Sequence, residues 1–244
     1  MNGLKVVRTL GNRMKLYEEV FYHKLPIRMP VIIRLDGNCF HTIAKRFNLK
    51  KPFDDKFIAS MDITAKELCE EIQGTKVAYI QSDEISLLLN NYTTLETEPW
   101  FNNEIQKIVS ISAGKASVKL SNCLNNNIFM DDYIETVFDS RAFVLTKDEV
   151  CNYFIWRQRD WERNSLQMVA RSYFPHKELL CLDSSQLHEK LFKEKGVNWS
   201  ELLTHLKRGR CVVKDENNVW RLDYDIPRFQ EDRDYINKHL LSDQ

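Results

Sequence analysis

The chain is short of backbone punctuation. Its 244 residues include only 7 glycines and 6 prolines, which excludes collagen-like and low-complexity classes. No apolar run approaches the roughly 20 residues of a membrane span. The opening segment MNGLKVVRTLGNRMK lacks the apolar core of a signal peptide, so a soluble, cytoplasmic protein is expected, with no membrane partner. The six cysteines, Cys39, Cys69, Cys123, Cys151, Cys181 and Cys211, form no C-x-x-C pair. Paired-cysteine zinc sites and a disulfide scaffold are thereby excluded, and reduced thiols, mostly in the core, are expected. Net charge is absent too: 35 basic residues balance 35 acidic ones.

That neutrality is uneven along the chain. Residues 1–51 hold 11 Lys and Arg against 3 Asp and Glu, and residues 141–214 hold 14 against 9. The balance excludes indiscriminate binding to long duplexes, where phosphate contacts dominate affinity. It leaves room for a local basic surface that takes a compact RNA.

What is present is a hydrophobic content of 43%, enough for a sizeable core, and a clear order of patterns. Met29–Leu35 (MPVIIRL) reads as a buried strand running into the Asp36-Gly37 turn. Apolar positions from Asp54 to Ile72 recur at helical spacing, with Gly74 as a C-cap. Lys76–Ile80 and Ile85–Leu89 read as a hairpin with Gln81-Ser82-Asp83-Glu84 at its tip. Trp100 to Leu120 is a second helix whose SISAGKAS section suits close packing, and Ser140–Leu145 is a further strand. The result is a βαββαβ, ferredoxin-like unit of α+β class. Helices are expected at Glu149–Phe174 and Ser185–Lys195, a hairpin at Arg210–Val213 and Val219–Leu222, and a terminal helix at Tyr235–Leu241. The organisation expected is an N-terminal arm with its core over residues 1–147 and a helical and hairpin extension over 148–244, packed as one unit.

In such a sheet the first strand lies beside the hairpin, so Asp36 and Asp83-Glu84 come from distant positions to neighbouring strand ends. Two carboxylates so placed can share two Mg²⁺ ions, one lowering the pKa of an attacking hydroxyl and one neutralising a leaving phosphate. Gly37 would let its carbonyl approach a metal closely. The plainer alternative, an ordinary turn beside a solvated hairpin tip, stays open on the residues alone.

Nine segments occur in order: RLDGNCFH (Arg34–His41), KPFDD (Lys51–Asp55), QSDEISL (Gln81–Leu87), FDSR (Phe138–Arg141), YFIWRQRD (Tyr153–Asp160), FPHKEL (Phe174–Leu179), EKGVNW (Glu194–Trp199), KRG (Lys207–Gly209) and DRDYINK (Asp232–Lys238). Together they resemble the tRNA(His) guanylyltransferase superfamily, closer to its like-protein branch. The resemblance implies a polymerase-palm core and nucleotide addition in the 3′-to-5′ direction. A 5′-monophosphate RNA end is activated with ATP, and the 3′-hydroxyl of an incoming nucleoside triphosphate, GTP or another, attacks it. It also implies a homotetramer built as a dimer of dimers.

By that resemblance Asp36 and Asp83 ligate both metals, the Gly37 carbonyl joins one, and Glu84 supports them. Arg34, His41, Lys51, Asp54 and Ser82 match positions that hold the activating nucleotide. Arg157, Gln158, Asn164, Lys207 and Arg208 match contacts to RNA or triphosphate. The chain departs from the guanylyltransferases where they carry His-x-Asn-Asn: it has Glu162-Arg163-Asn164-Ser165. Asn38 stands where a basic residue is common. The departures favour template-dependent repair of 5′-truncated tRNA over addition of the extra G to tRNA(His). A palm-fold nucleotidyl cyclase and a non-catalytic tRNA-binding protein are the remaining alternatives.

Overall fold

A computed structural model of the chain describes residues 9–127 and 133–241. Helix α1 (Leu10–Glu19) opens it and buries none of its own side chains. Strand β1 (Val31–Gly37) follows, then a short helix α2 (Phe40–Arg46) and the long α3 (Asp55–Glu71). Strands β2 (Thr75–Gln81) and β3 (Glu84–Leu89) form the hairpin. Helix α4 (Ile105–Asn127) leads to β4 (Phe138–Val144). Beyond them come α5 (Lys147–Tyr173), α6 (Ser184–Lys195), α7 (Thr204–Arg208), strands β5 (Arg210–Lys214) and β6 (Trp220–Asp223), and the short α8 (Asp234–Asn237).

The strands make one six-stranded antiparallel sheet in the order β4-β1-β3-β2-β5-β6. Its first four members have the order of a split βαβ unit. The chain's last third is not purely helical, because its hairpin continues the sheet: β5 pairs with β2 through Ala78↔Val212 and Ile80↔Arg210.

Alternation along the strands sorts side chains to two faces. Ile33, Leu35, Ile80, Ile85 and Leu87 meet Met61, Leu68 and Leu120 on the face covered by α3 and α4. Ile32, Tyr79 and Leu88 meet Val150, Phe154, Phe229 and Ile236 on the face covered by α5 and α8. Each fully buried Leu, Ile or Phe contributes about 1.5–3 kcal/mol. A third cluster, Leu166, Val169, Leu187 and Leu191, holds α6 against α5.

Local chemistry moves some boundaries. The Asp54 carboxylate accepts from Phe57 N at 2.9 Å and caps α3. The helix expected from Trp100 starts at Ile105, because Phe101 and Asn102 take left-handed φ of 48° and 51° and break its first turn. In the small-residue section of α4, Ser112 and Ala116 are buried, and the Ser112 hydroxyl lies 2.8 Å from that of Ser140 on β4. The terminal helix shortens to α8 and a 3₁₀ turn, Lys238–Leu240. All six cysteines are free; Cys69, Cys151 and Cys211 are buried, whereas Cys39 and Cys181 are exposed. Among the described residues no helix is long and apolar enough to cross a membrane.

Candidate active site

The site forms where β1 ends beside the β2–β3 hairpin. Two residues, Ser82 and Asp83, join the strands, with Ser82 at a left-handed φ of 45°. The Gly37 N–H donates to the Asp83 carbonyl at 3.1 Å, so a main-chain bond fixes the end of β1 against the hairpin tip. A Cβ built on Gly37 would meet the Phe40 ring at 2.4 Å and the Asp83 Cβ at 3.0 Å. Glycine is required there by close approach, not by turn geometry.

Asp36 lies opposite Glu84 on one side and Asp139 on the other, a cross-strand row of carboxylates on the α5 face. Like charges directly opposite destabilise a sheet, and arginines offset them. Glu84 is buried, with Arg157 Nε donating to it at 2.8 Å and Arg34 Nε ion-paired at 3.4 Å. The Gln81 amide donates to it as well, at 2.9 Å. Arg34 reaches Asp36 at 3.6 Å, and Arg141 reaches Asp139 at 3.7 Å.

Burial pushes the Glu84 carboxyl up, against the opposing pull of Arg157 and Arg34. Burial also raises Asp83, and the Asp36 charge adds to the rise, while hydrogen bonds from main chain and Ser82 oppose it. Asp83 is therefore a carboxylate held at a desolvation cost that a cation would relieve.

The structure divides the residues matched to nucleotide contacts. Arg34 lies on the α5 face with its Nε buried and without a hydrogen-bond partner. Lys51, Asp54 and His41 belong to the segments around α2 and α3. His41 and Lys51 are exposed, and the His41 ring nitrogen lies 3.2 Å from the Thr42 hydroxyl. Asp54 is occupied by capping and by Lys50 N at 2.9 Å.

Those matched to RNA or triphosphate divide as well. Arg157 is not on an exposed, salt-bridged helix face: it is buried and committed to Glu84 and, at 2.8 Å, to Asp160. Gln158 is buried with both ends of its amide on main chain, donating to Pro227 O at 3.0 Å and accepting from Phe229 N at 2.9 Å. As folded it anchors the 227–229 loop and presents no free atom to RNA. Asn164 is exposed and donates to Asp160 at 3.3 Å.

Lys207 and Arg208 end α7, close to the hairpin through the Ile80↔Arg210 pairing. The buried Tyr79 hydroxyl donates to Arg208 O at 2.8 Å, and Ser165 donates to Leu206 O at 2.6 Å. Burial and the neighbouring Arg208 lower the Lys207 pKa. Gly209 has φ +78°, and a Cβ there would meet Ile80 O and the Tyr79 ring and hydroxyl, each at 2.7 Å. Gly209→Ala is expected to cost about 2–4 kcal/mol, combining backbone strain and overpacking. A thermal melt of the variant checks this.

Sequence reasoning gave no role to Asp139 and did not bury Arg157. The period-2 register of FDSR against RLDG would have found the first. The second depends on a partner 73 residues away.

Residues 11–146 match the family model Thg1, described as tRNAHis guanylyltransferase. The tRNA(His) guanylyltransferase of Debaryomyces hansenii is 30% identical over 218 residues, covering 83% of this chain and 80% of that protein. A bacterial tRNA(His) guanylyltransferase (Thg1)-like protein in complex with ATP superimposes with TM-score 0.91 at 43% identity, covering 96% of this chain and 100% of that one. A like-protein in complex with GTP gives 0.80 at 39%, covering 95% and 98%. Fold, acidic strand ends and these matches define a nucleotidyltransferase. The chain belongs to the tRNAHis guanylyltransferase family.

Proposed function

We propose that the protein adds nucleotides to the 5′ end of truncated tRNA in the 3′-to-5′ direction, directed by the opposing strand as template. The 5′-monophosphate attacks the α-phosphorus of ATP and releases pyrophosphate, and the 3′-hydroxyl of an incoming nucleoside triphosphate then attacks the 5′ phosphorus of the RNA, losing its proton and expelling AMP. The observation that carries this reading is the cradle of Asp36, Gly37 and Asp83, closed by the Gly37 N–Asp83 O bond. The 43%-identical like-protein in complex with ATP supports the nucleotide.

The residues present fit Mg²⁺. Their donors are all hard oxygens, two carboxylates and a carbonyl, and this ion characteristically takes one or two carboxylates plus substrate phosphates. Among the described residues no group of three or more acids, histidines and cysteines gathers as a metal cage would. Asp36 and Asp83 would hold two ions, with the Gly37 carbonyl on one. When bound, the ions lower the pKa of a hydroxyl and offset phosphate charge.

The chain's own groups do the rest. Glu84 takes no metal in this reading: it holds Arg157 and Arg34 in place, with Arg157 Nε donating to it at 2.8 Å and Arg34 Nε facing it at 3.4 Å. His41, Lys51, Asp54 and Ser82 line the approach from the α2 and α3 side, where the activating nucleotide enters, and the exposed Lys51 meets its phosphates as a point charge. Lys207 and Arg208 present cations beside the same hairpin tip, from the β5 side.

Repair is favoured over dedicated extra-G addition by Glu162. It stands in place of the family histidine and is ion-paired to Arg228 at 3.2 Å, so it offers no neutral ring for a base. Assembly as a homotetramer belongs to the same reading. It is supported by α1, whose stripe of Leu10, Met14 and Tyr17 is exposed. The cytoplasm is the compartment that suits this substrate.

The test is purified protein with a 5′-monophosphorylated tRNA lacking its first nucleotide, ATP, labelled nucleoside triphosphates and Mg²⁺. Extension matched to the opposing strand is expected, and a 5′-triphosphate RNA should bypass ATP. Absence of extension by the wild-type protein, or cyclic nucleotide as the product, sinks the reading.

A further inference from the structure

Trp156 is 54% exposed, an unusual state for the largest apolar side chain. It is nonetheless fixed. Arg157 sits over its ring at 4.4 Å, and Tyr153 packs against it at 5.9 Å with an interplanar angle of 64°. Both supports are themselves buried and bonded, Arg157 to Glu84 and Asp160, and Tyr153 to Ser86 at 2.7 Å. The protein thus holds an aromatic plane half in water and prevents it from collapsing into the core.

Its location is defined by the same contacts. The chain Trp156–Arg157–Glu84–Arg34–Asp36 runs from the ring to the acidic strand end. Tyr153 also packs on Phe143 at 5.6 Å, and Arg141 precedes Phe143 by two on β4, on the same sheet face. Arg141 is exposed and is tied to Asp139 only at 3.7 Å. An open aromatic plane and a solvated guanidinium therefore flank Asp36 on the α5 face. His41 and the Lys51–Asp54 segment come from around α2 and α3, and Phe53 of that segment packs on Trp161 of α5 at 6.3 Å, further along the helix than Trp156.

We propose that Trp156 and Arg141 form the seat of the RNA end, a base stacking on the Trp156 ring while an adjoining phosphate meets Arg141. The inference rests on the RNA reading above and adds the surface that receives the RNA. Every base has a π-face, so a stacking plane serves an enzyme that must accept ends of different sequence. Arg157 beneath the ring is neutralised by Glu84 and Asp160, so the attraction for phosphate falls to Arg141.

The experiment titrates the full-length protein against fluorescently labelled, 5′-monophosphorylated tRNA lacking its first nucleotide, and separately against ATP. Trp156→Ala should weaken tRNA binding roughly five- to a hundredfold, the range for removing one base–aromatic stack. ATP affinity and thermal midpoint should stay at wild-type values. Trp156→Phe should restore most of the tRNA affinity. Arg141→Ala should weaken tRNA binding and reduce the salt slope by about one counterion. Wild-type tRNA affinity in Trp156→Ala, or an equal loss of ATP affinity, overturns the proposal and leaves the proposed function standing. Failure of the wild-type protein to bind the tRNA overturns both.

Discussion

Asp83→Asn is expected to lose nucleotide addition by roughly 10³-fold while making the protein more resistant to heat at neutral pH. On the proposed function the loss follows from removing a carboxylate that would hold the metal ions, a contribution of several kcal/mol to the reaction barrier. The gain follows from linkage. Burial and the Asp36 charge raise Asp83 above the ordinary aspartate value of 3.8. At low pH the group is protonated in both native and unfolded chains and costs nothing. As pH rises, the unfolded chain ionises first, and native stability falls as pH passes through the raised native pKa. Asparagine removes that penalty. Melts of both proteins in chelator from pH 4 to 8 should therefore diverge upward for the variant as pH rises. Added Mg²⁺ should raise the wild-type midpoint and leave the variant's unchanged. Wild-type midpoints equal to the variant's at every pH would show that Asp83 carries no such penalty.

The second large effect is on stability alone. Asp62 on α3 and Arg210 at the start of β5 are an ion pair, with side chains 2% and 3% exposed. Arg210 also donates to Ile58 O at 3.2 Å, and Tyr224 donates to Asp62 at 2.8 Å. Arg210→Ala would leave a buried carboxylate without its cation, which typically costs 3–5 kcal/mol. For a chain of this size that corresponds to a fall in the thermal midpoint of roughly 6–20 °C. The double variant Asp62→Leu, Arg210→Met should lose far less, because no charge is stranded. Tyr224 is 43% exposed, so its hydroxyl can turn to water. A double variant as unstable as Arg210→Ala would show that the pair supplies attraction beyond offsetting its own burial.

The elements with strong local signals were legible in the sequence. β1 was visible in its β-branched run, α3 in its periodicity and Asp54 cap, and the hairpin in two apolar runs around a polar tip. The end of β1 and the hairpin tip were therefore legible as neighbours before any geometry was seen. Helix α1 was not legible, because none of its side chains is buried among the described residues, so it carries no inward stripe. Helix α2 is seven residues long and opens from Cys39 in a left-handed conformation, neither of which leaves a periodic trace. At the site, the roles of Glu84, Arg157 and Gln158 were hidden for one reason. Their partners lie 73, 73 and 69 to 71 residues away, and a helix written WRQRD reads as solvated until the sheet beneath it is placed. The charge count misled in the same way, since two arginines of the basic segment, Arg157 and Arg210, face inward.

The bond between Gly37 N and Asp83 O has a consequence for how the gene can change. Because main chain, not a rotamer, sets the spacing of the two aspartates, substitutions elsewhere in the core can shift side chains without detuning it. Insertions and deletions are another matter. One residue gained or lost within Val31–Gly37 would turn Asp36 to the α3 face along with every side chain after the change. The coding sequence over this strand can thus exchange one apolar core residue for another, with Asp36 and Gly37 held, but is closed to any change in its length.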